Sequence, residues 1–367
     1  MRQTVPNSNS IILTGREWLI TIAIFLAFSF TVYNGWYHWE KLAVEPDYRS
    51  TCWEERMSDY WAYMQWSRYA RSHYKILFIG DSVIWGQEVS NTETISHYLN
   101  AQLGKNEMVA NLGIDGLTDT ALDGIVTYYG DFLGKTNVIL QFNPLWMASP
   151  TRDLRGKWRF HHPRLVPQLD HRITYFKNLN ERVGYLFEHY LRLPPFVRHQ
   201  MVNYFDNKSI AAWLMDNPYR FPLSAITFKS APMMKEKQGL GKSWLDRKDG
   251  GKLVDEPFLS LNESIQWECY LKALAKLKKR GVNGFILLGP FNTYALTPAS
   301  RERFFVMMDA IKKELDRLGF PYFDSTRDLL PSREYGDNCH ALADGHAVLA
   351  EAMVKDPAFQ KWVAAIK

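Results

Sequence analysis

The chain has 367 residues, of which 46% are hydrophobic and 23% charged, and its formal net charge is +5. This size and composition are typical of one large or two small globular domains with a sizeable core. The charge is mild and no dense run of Lys and Arg occurs, which argues against nucleic-acid binding and weakly favours an anionic surface such as a membrane. The chain has three scattered cysteines, Cys52, Cys269 and Cys339, which are too few for a disulfide framework or a zinc site. One disulfide could form in an oxidising compartment, and the sequence does not indicate which pair.

An uncharged apolar segment lies near the amino terminus. Residues 18–37 carry no charged side chain, and this length matches the roughly 20 residues that cross a bilayer core. Aromatic residues stand at its ends, as interfacial anchors do: Trp18, Tyr33, Trp36, Tyr37 and Trp39. We therefore predict a cytoplasmic tail over 1–16 and a transmembrane anchor over 17–39. A cleaved signal peptide, which usually has a shorter apolar region, and a buried core helix are the alternatives.

Basic residues beside this segment set its predicted orientation. Arg2, Arg16 and the terminal amine precede it, and Lys41 and Arg49 follow it. Acidic residues count little in the positive-inside rule, so the small bias favours a cytoplasmic amino terminus. The rest of the chain is then expected outside the cytoplasm, as the large domain of a single-pass membrane protein.

A juxtamembrane segment over residues 40–73 follows the anchor, with a helix predicted at 46–72. Apolar residues recur there at three- and four-residue spacing and form one stripe: Trp53, Met57, Tyr60, Trp61 and Met64. We expect this stripe to pack on the chain's own domain, with a membrane surface or a partner protein as the alternative.

Strands and helices alternate from residue 74 to the end of the chain. Strands are predicted at 75–80, 108–112, 137–142, 283–288 and 321–323. Helices are predicted at 92–103, 118–133, 265–279, 300–318 and 346–354. This alternation indicates βαβ units and a parallel sheet, so the predicted fold class is α/β, in one domain over 74–367.

Residues 147–258 interrupt this alternation and are rich in Pro, Arg, His and aromatic residues. They predict an insertion between sheet strands, partly helical at 175–190 and 209–215. A connection of this length is usually functional or forms a lid, because ordinary connections are far shorter. We expect His161 and His162 to be loop residues.

One serine, one histidine and one aspartate carry the candidate chemistry. Ser82 follows the first strand in the segment KILFIGDSVIWG, at the carboxyl end where open α/β sheets place their ligands. Near the end of the chain, Asp337 and His340 are three residues apart. A serine hydroxyl needs an adjacent base, and that base needs an orienting acid. The pattern favours Ser82 as nucleophile, His340 as base and Asp337 as orienting acid, against the alternatives of a turn serine and a capping or core histidine.

Three blocks occur in order along the chain: Gly80-Asp81-Ser82 with Gly86, Asn111-Leu-Gly113-Ile-Asp-Gly116-Leu-Thr118, and Asp337-Asn-Cys-His340 with Gly345-His346. This set resembles the SGNH/GDSL hydrolase superfamily over about residues 74–145 and 282–355. The resemblance implies a three-layer α/β/α fold and acyl transfer through a Ser–His–Asp triad. No cofactor and no metal ion are expected.

The resemblance also implies an oxyanion hole built from the backbone N–H groups of Ser82 and Gly116, with Gly113 as the alternative to Gly116. The family adds an Asn side chain from a further block after the third strand. Here that block reads Leu140-Gln-Phe-Asn143-Pro144-Leu145-Trp146. Leu145 stands about where the family has its Asn, so Asn143, two residues earlier, is the candidate side-chain donor.

This altered block and the single anchor together resemble the membrane-anchored, DltD-like proteins of polysaccharide and teichoic-acid acylation. That implies a serine esterase or O-acyltransferase acting on acyl groups of a cell-envelope polysaccharide or related polymer, beside a multi-spanning membrane acyltransferase. An esterase for small acyl esters and a non-catalytic SGNH-like partner are the alternatives.

Four further residues near these blocks are expected to have plain structural roles. Cys339 is predicted to be a small buried residue beside the site and His346 a packing residue. Asp119 and Asp123 are expected to face solvent on a helix. A metal site formed by Cys339, His340 and His346 is not expected, because further ligands are lacking.

Overall fold

The computed structural model describes residues 13–44, 47–50, 58–104, 108–156, 162–173, 179–190, 193–229, 241–248 and 250–366. The sheet strands are β1 Ile76–Ile79, β2 Val109–Asn111, β3 Asn137–Phe142, β4 Asn283–Leu288 and β5 Tyr322–Asp324. Their spatial order is β2-β1-β3-β4-β5, and every neighbouring pair is parallel. The α/β class and the parallel sheet predicted from the sequence are thus confirmed.

Helices connect these strands and extend to both ends of the described chain. They are α1 Gly15–Trp39, α2 Tyr60–His73, α3 Ser82–Trp85, α4 Ile95–Gln102, α5 Asp119–Gly124, α6 Leu179–Tyr190, α7 Leu193–Tyr204, α8 Ile210–Asp216, α9 Ile265–Lys279, α10 Pro298–Leu318, α11 Ala343–Lys355 and α12 Pro357–Ala364. The connection from β1 leads to β2 on one side of the sheet, and later connections lead to β3, β4 and β5 on the other side. The topological switch point therefore lies between β1 and β3. In open α/β sheets the ligand crevice lies at the carboxyl ends of the strands flanking such a point.

Several predicted elements start or end at different residues. The helix predicted at 46–72 begins only at Tyr60, after Asp59 has accepted a capping hydrogen bond from the Ala62 N–H group. Trp53 and Met57 lie outside the described residues. The helix predicted at 118–133 stays α-helical only through Gly124, where a Cβ would lie 2.1 Å from the carbonyl oxygen of Leu165. The insertion passes close to this glycine, and the chain continues as a π-helix over Ile125–Tyr129.

Three helices were absent from the sequence prediction: the short helix α3, α7 and α12. Prolines at 194 and 195 read as helix breakers, but they lie in the first turn of α7, where a missing N–H group costs nothing. In α12, Pro357 again occupies the first turn, and Asp356 caps it by accepting from Phe359 N–H.

The insertion predicted at 147–258 contains α6, α7 and α8. Its two ends meet, because Phe258 N–H donates to the carbonyl of Ala148 and Leu259 N–H to that of Met147, at 3.0 and 2.9 Å. The part of 175–190 that the structure describes is helical from Leu179, and the helix predicted at 209–215 is confirmed as α8.

Helix α1 is long and apolar enough to cross a membrane. It spans 25 residues and begins with a capping box between Thr14 and Glu17. Its apolar side chains before residue 31 are mostly exposed, whereas Tyr33 and Trp36 are buried against the rest of the chain. The ring of Trp61, on α2, packs 4.6 Å from that of Tyr33. The end of α1 is therefore docked on the domain.

A buried ionic cluster holds this junction together. His199, on α7, is fully buried between Asp59 and Glu40, and its two ring nitrogens lie 2.9 Å from a carboxylate oxygen of each. Tyr204 also donates to Glu40. Burial alone lowers the pKa of His199, but the two carboxylates outweigh burial and raise that pKa to about 9. His199 is then an imidazolium at neutral pH and donates from both nitrogens.

Candidate active site

The turn after β1 positions Ser82 as the first residue of α3. Gly80 is required before it, because a Cβ there would lie 2.3 Å from Ile84 and 2.4 Å from the Gln141 amide oxygen. That oxygen accepts from Asp81 N–H at 3.0 Å, which fixes the turn to β3. Gly86 ends α3 in the left-handed region at φ +90°, a conformation that glycine adopts without strain.

The fold brings the three residues predicted for the triad together across 258 residues of sequence. His340 Nε2 lies 2.7 Å from Ser82 Oγ, and His340 Nδ1 lies 2.7 Å from Asp337 Oδ2. With the proton on Nδ1 donated to Asp337, Nε2 accepts from the Ser82 hydroxyl. This is the arrangement that general-base activation of a serine requires.

Burial and charge act in opposite directions on this histidine. Burial alone lowers the pKa of the His340 imidazole, but neighbouring Cys339 and Asp337 outweigh it and raise that pKa well above its ordinary value. Because burial also raises the pKa of the Cys339 thiol, the thiol is neutral at neutral pH and Asp337 is the charged partner. Burial acts to raise the pKa of Asp337, yet its hydrogen bonds with His340 lower that pKa overall.

The loop that carries Asp337 and His340 is held by residues that sequence reasoning missed. Asn292, fully buried just after β4, donates from its side chain to the Asp337 carbonyl at 3.1 Å and from its backbone to the Asn338 carbonyl at 2.8 Å. Tyr335 donates its hydroxyl to the Phe291 carbonyl. No local sequence pattern indicated this role for Asn292, which stands four residues after β4.

Arg49 is a second residue whose role the sequence did not reveal. It is buried, and its guanidinium donates to the carbonyls of Trp85, Gly86 and Val89 at the end of α3. The same group lies 4.2 Å from the centre of the Trp85 ring. The segment after the anchor therefore clamps the helix that begins with Ser82, a contact over 36 residues that no local pattern indicates.

The candidate oxyanion glycines differ in how their backbone is used. The N–H group of Gly113 donates to the Asn111 side chain at 3.0 Å, so it is already engaged. Gly116 lies at φ +71° in a turn closed by the bond from Leu117 N–H to the Ile114 carbonyl. Among the described contacts, none uses the N–H group of Gly116 or of Ser82. These two donors, rather than Gly113, are the ones open to an oxyanion.

His162, expected as a loop residue, is fully buried and supports this turn. Its Nε2 lies 2.8 Å from the carbonyl of Asp115, and its Nδ1 lies 3.0 Å from the Tyr60 hydroxyl. The insertion thereby contacts the residue before Gly116 through His162, and Tyr60 of α2 holds the other side of that imidazole. His161 lies outside the described residues.

Asn143 lies after β3 and its side chain is engaged with Asp81. Its Nδ2 donates to Asp81 Oδ2 at 2.7 Å, and its Oδ1 accepts from Leu145 N–H. Trp146 Nε1 donates to the same Asp81 oxygen at 3.1 Å. Burial raises the pKa of Asp81, against the effect of these hydrogen bonds. In this geometry the altered third block orients the Gly-Asp-Ser turn, and the oxyanion role of Asn143 stays a prediction.

The expectation that Asp119 and Asp123 face solvent is wrong. They are 3% and 8% exposed, because α5 packs between α9 and the insertion and is buried on all sides. Asp123 pairs with Lys276 of α9 at 2.5 Å. Among the residues that the structure describes, none forms a hydrogen bond with Oδ2 of Asp119. Burial, then the charges of Asp81 and Asp153, raise the pKa of Asp119 well above the ordinary value.

We expect Asp119→Asn to raise the free energy of unfolding at pH 7, because the amide is neutral without taking up a proton; the gain is about 1.4 kcal/mol for each unit by which folding raises the pKa of Asp119. The folded chain keeps this carboxyl protonated while the unfolded chain ionises it, so its contribution to stability falls as pH rises above about 4. In urea unfolding, the free energy of unfolding should decrease less from pH 5 to pH 8 in the variant than in the wild type. Asp131→Asn, at an exposed position, is the control, and equal pH dependence in all three proteins would contradict the expectation.

Cys339 and His346 have the structural roles expected of them. Both are 1% exposed, and burial, then the charges of His340 and Arg49, lower the pKa of His346 to about 3, so it stays neutral. Cys269 and Cys339 are free thiols, and Cys52 lies outside the described residues. Asp337, Cys339 and His340 bring possible metal ligand atoms within 4.8 Å of one another. His340 Nδ1 already contacts Asp337, however, and its Nε2 contacts Ser82, so the set fits a proton relay better than an ion.

No protein-family model matches this chain, and no curated protein matches it significantly.

Proposed function

We propose that this chain is a serine esterase or O-acyltransferase of the SGNH type, held at the membrane by α1. The observation that carries the proposal is the continuous hydrogen-bond path from Ser82 Oγ through His340 to Asp337, with 2.7 Å at each step. Its location at the carboxyl end of β1, beside the point where the connections reverse, is where α/β sheets bind ligands.

The proposed reaction is acyl transfer through a serine ester. His340 Nε2 takes the hydroxyl proton as Ser82 Oγ attacks the ester carbonyl, and the N–H groups of Ser82 and Gly116 donate to the oxyanion. The imidazolium returns the proton to the leaving oxygen as the old ester bond breaks. Water or a sugar hydroxyl then attacks the acyl-serine and gives its proton to His340, and the imidazolium passes a proton to Ser82 Oγ as the bond between Oγ and the acyl carbon breaks.

The setting of the reaction follows from α1. An apolar helix that leads directly into a docked domain supports a single-pass membrane anchor. We further propose that the site lies outside the cytoplasm and acts on acyl groups of an envelope polysaccharide. Two of the helix groups are α4 with α11 and α12, and α5 with α9. This grouping supports the three-layer arrangement of the proposed family. A multi-spanning acyltransferase is the proposed source of acyl groups.

A fluorophosphonate probe tests the nucleophile. The Ser82 oxygen should displace fluoride and form one phosphonyl ester, and mass spectrometry of the digested full chain should locate it on the peptide containing Ser82. Labelling of another serine, or of none, would contradict the proposal. Incubation of the enzyme with an aryl acetate then separates the two acceptors. Turnover in water alone indicates an esterase, and acetyl transfer to added glycan that exceeds hydrolysis indicates a transferase.

The pH profile of aryl ester cleavage should carry the signature of His340. Only the neutral imidazole accepts the Ser82 proton, and the pKa of His340 is raised, so kcat/KM should fall as pH decreases through a value above the ordinary 6.5. His346→Asn should leave this midpoint in place, because His346 is neutral throughout the range. A midpoint at or below pH 6.5 would show that Asp337 does not act on His340 as described.

A further inference from the structure

A cavity of about 800 Å³ lies where the carboxyl-terminal end of α1 meets α2, away from Ser82. Asn34 and His38 line it from α1, Lys41 from the residues that follow, and Gln65 and Arg68 from α2. The cavity is open to solvent on one side, and Arg68 and Lys41 are both exposed.

The charge of this cavity is positive and is not neutralised within it. Among the described residues, neither Arg68 nor Lys41 forms an ion pair with a carboxylate. The Arg68 guanidinium lies 4.1 Å from the centre of the Tyr37 ring, which holds it at the cavity wall. Glu40, which also lines the cavity, is already bound by His199 and Tyr204. An anion therefore meets two available cations here and no competing carboxylate.

A buried amide gives a second and independent indication of a ligand. Gln65 is 8% exposed and lines the cavity, and its amide oxygen has no hydrogen-bond partner within the described part of the chain. A buried polar group is normally satisfied, so an unpaired acceptor at a cavity wall indicates a donor that binds from outside. A hydroxyl group on the ligand would meet this requirement.

The position of the cavity along α1 identifies the source of such a ligand. The exposed apolar side chains of α1, among them Phe28 and Phe30, precede it by about one turn. Trp39, which is 50% exposed, lies at the same level as the cavity, as aromatic residues do at a membrane interface. With α1 in a bilayer, Lys41 and Arg68 stand at the depth of the lipid phosphates.

We propose that this cavity binds the headgroup of an anionic, hydroxyl-bearing phospholipid such as phosphatidylglycerol. Arg68 and Lys41 would contact the phosphate, and the Gln65 oxygen would accept from a headgroup hydroxyl. The proposal requires α1 to lie in a membrane, but it does not depend on the chemistry of Ser82. Such a lipid would fix the domain at one height and orientation above the bilayer surface.

Native mass spectrometry of the full chain, released from detergent micelles, tests this site. The probes are phosphatidylglycerol and phosphatidylcholine with identical acyl chains. We expect wild-type protein to retain phosphatidylglycerol preferentially, and the double variant Lys41→Gln, Arg68→Gln to bind it roughly 10- to 30-fold more weakly. Arg71→Gln removes a charge from the same helix outside the cavity and should retain the lipid as the wild type does.

Three results would overturn the proposal. These are equal retention by the double variant, equal retention of phosphatidylcholine, and displacement of phosphatidylglycerol by millimolar inorganic phosphate, which would assign the cavity to a soluble anion. Gln65→Leu keeps both charges and removes only the amide, so it should lower retention of phosphatidylglycerol without creating a preference for phosphatidylcholine. Unchanged retention in this variant would remove Gln65 from the site. Thermal unfolding of each variant checks that the fold is preserved.

Discussion

Replacing Ser82 with alanine should lower kcat for an activated ester by at least about 10⁴-fold, because the nucleophile of the proposed acyl-serine is removed. His340→Ala should cause a loss of similar size. The double variant should be little worse than either single one, since residues that act as one unit are not additive. The fold should persist in Ser82→Ala, because the bond to His340 is the contact described for this hydroxyl.

The measurement is the hydrolysis of an aryl acetate by the purified full chain in detergent. Ser260→Ala, at an exposed serine bonded to Glu263, is the matched control and should keep wild-type activity. Activity that survives in both Ser82→Ala and His340→Ala would exclude a serine enzyme and leave a non-catalytic partner as the interpretation. Separate thermal unfolding would distinguish a lost nucleophile from a lost fold.

His199→Ala should lower the free energy of unfolding by about 3–5 kcal/mol, the usual cost of breaking a buried ion pair from one side. The substitution leaves Glu40 and Asp59 buried and facing the space of the lost imidazolium. Urea unfolding of the full chain in detergent, followed by tryptophan fluorescence, measures the change. His97→Ala breaks a half-exposed pair with Asp47 and should cost no more than about 1 kcal/mol.

The same cluster predicts a dependence of stability on alkaline pH. The pKa of His199 is raised from 6.5 to about 9 in the folded chain, so its contribution is present in full below pH 6.5 and is lost as pH rises through 9. Wild-type protein should lose this stability between pH 7 and 10, and His199→Ala should not. Adding Glu40→Gln and Asp59→Asn to His199→Ala should restore part of the free energy of unfolding that the single substitution removes, because no unpaired charge then stays buried. A further loss in that triple variant would contradict the electrostatic explanation.

The cluster also explains why the end of α1 is docked. Glu40 follows α1 directly, Asp59 caps α2, and His199 lies on α7 of the insertion. One imidazolium thus joins the end of α1, α2 and the insertion. Arg49, between α1 and α2, binds the end of α3. Buried hydrogen bonds thus hold both the end of α1, through His199, and the end of α3, through Arg49.

Local sequence patterns were sufficient for the elements with strong periodicity. The strands at 137–142 and 283–288 and the helix at 265–279 agree with the structure at both ends. Runs of apolar residues bounded by turn residues specify these elements without help from distant contacts. The patterns failed where distant contacts decide. The α-helix α5 ends at Gly124, where the Leu165 backbone passes over it, and Asp119 is buried because α9 and the insertion cover it.

The triad residues were predictable by sequence spacing, but their supporting residues were not. Ser82 stands after a strand, and Asp337 and His340 share one loop, so their side chains carry a local signature. Arg49 and Asn292 reach the site from separate segments, and nothing near them in sequence shows their partners. Asn143 shows the same limit, since its amide contacts Asp81 at a distance of 62 residues.

The sequence by itself determined the α/β alternation, the apolar helix at the amino terminus and the three residues proposed for catalysis, because each depends on short-range periodicity or spacing. Only the tertiary structure decided which polar groups are buried and how they are paired. It placed His199 between two carboxylates, left Asp119 without a partner on one oxygen, and directed Asn143 and Trp146 to Asp81. Pairing of this kind depends on which segments meet at the ends of the strands. The free energy of a buried charge depends on all the segments that surround it.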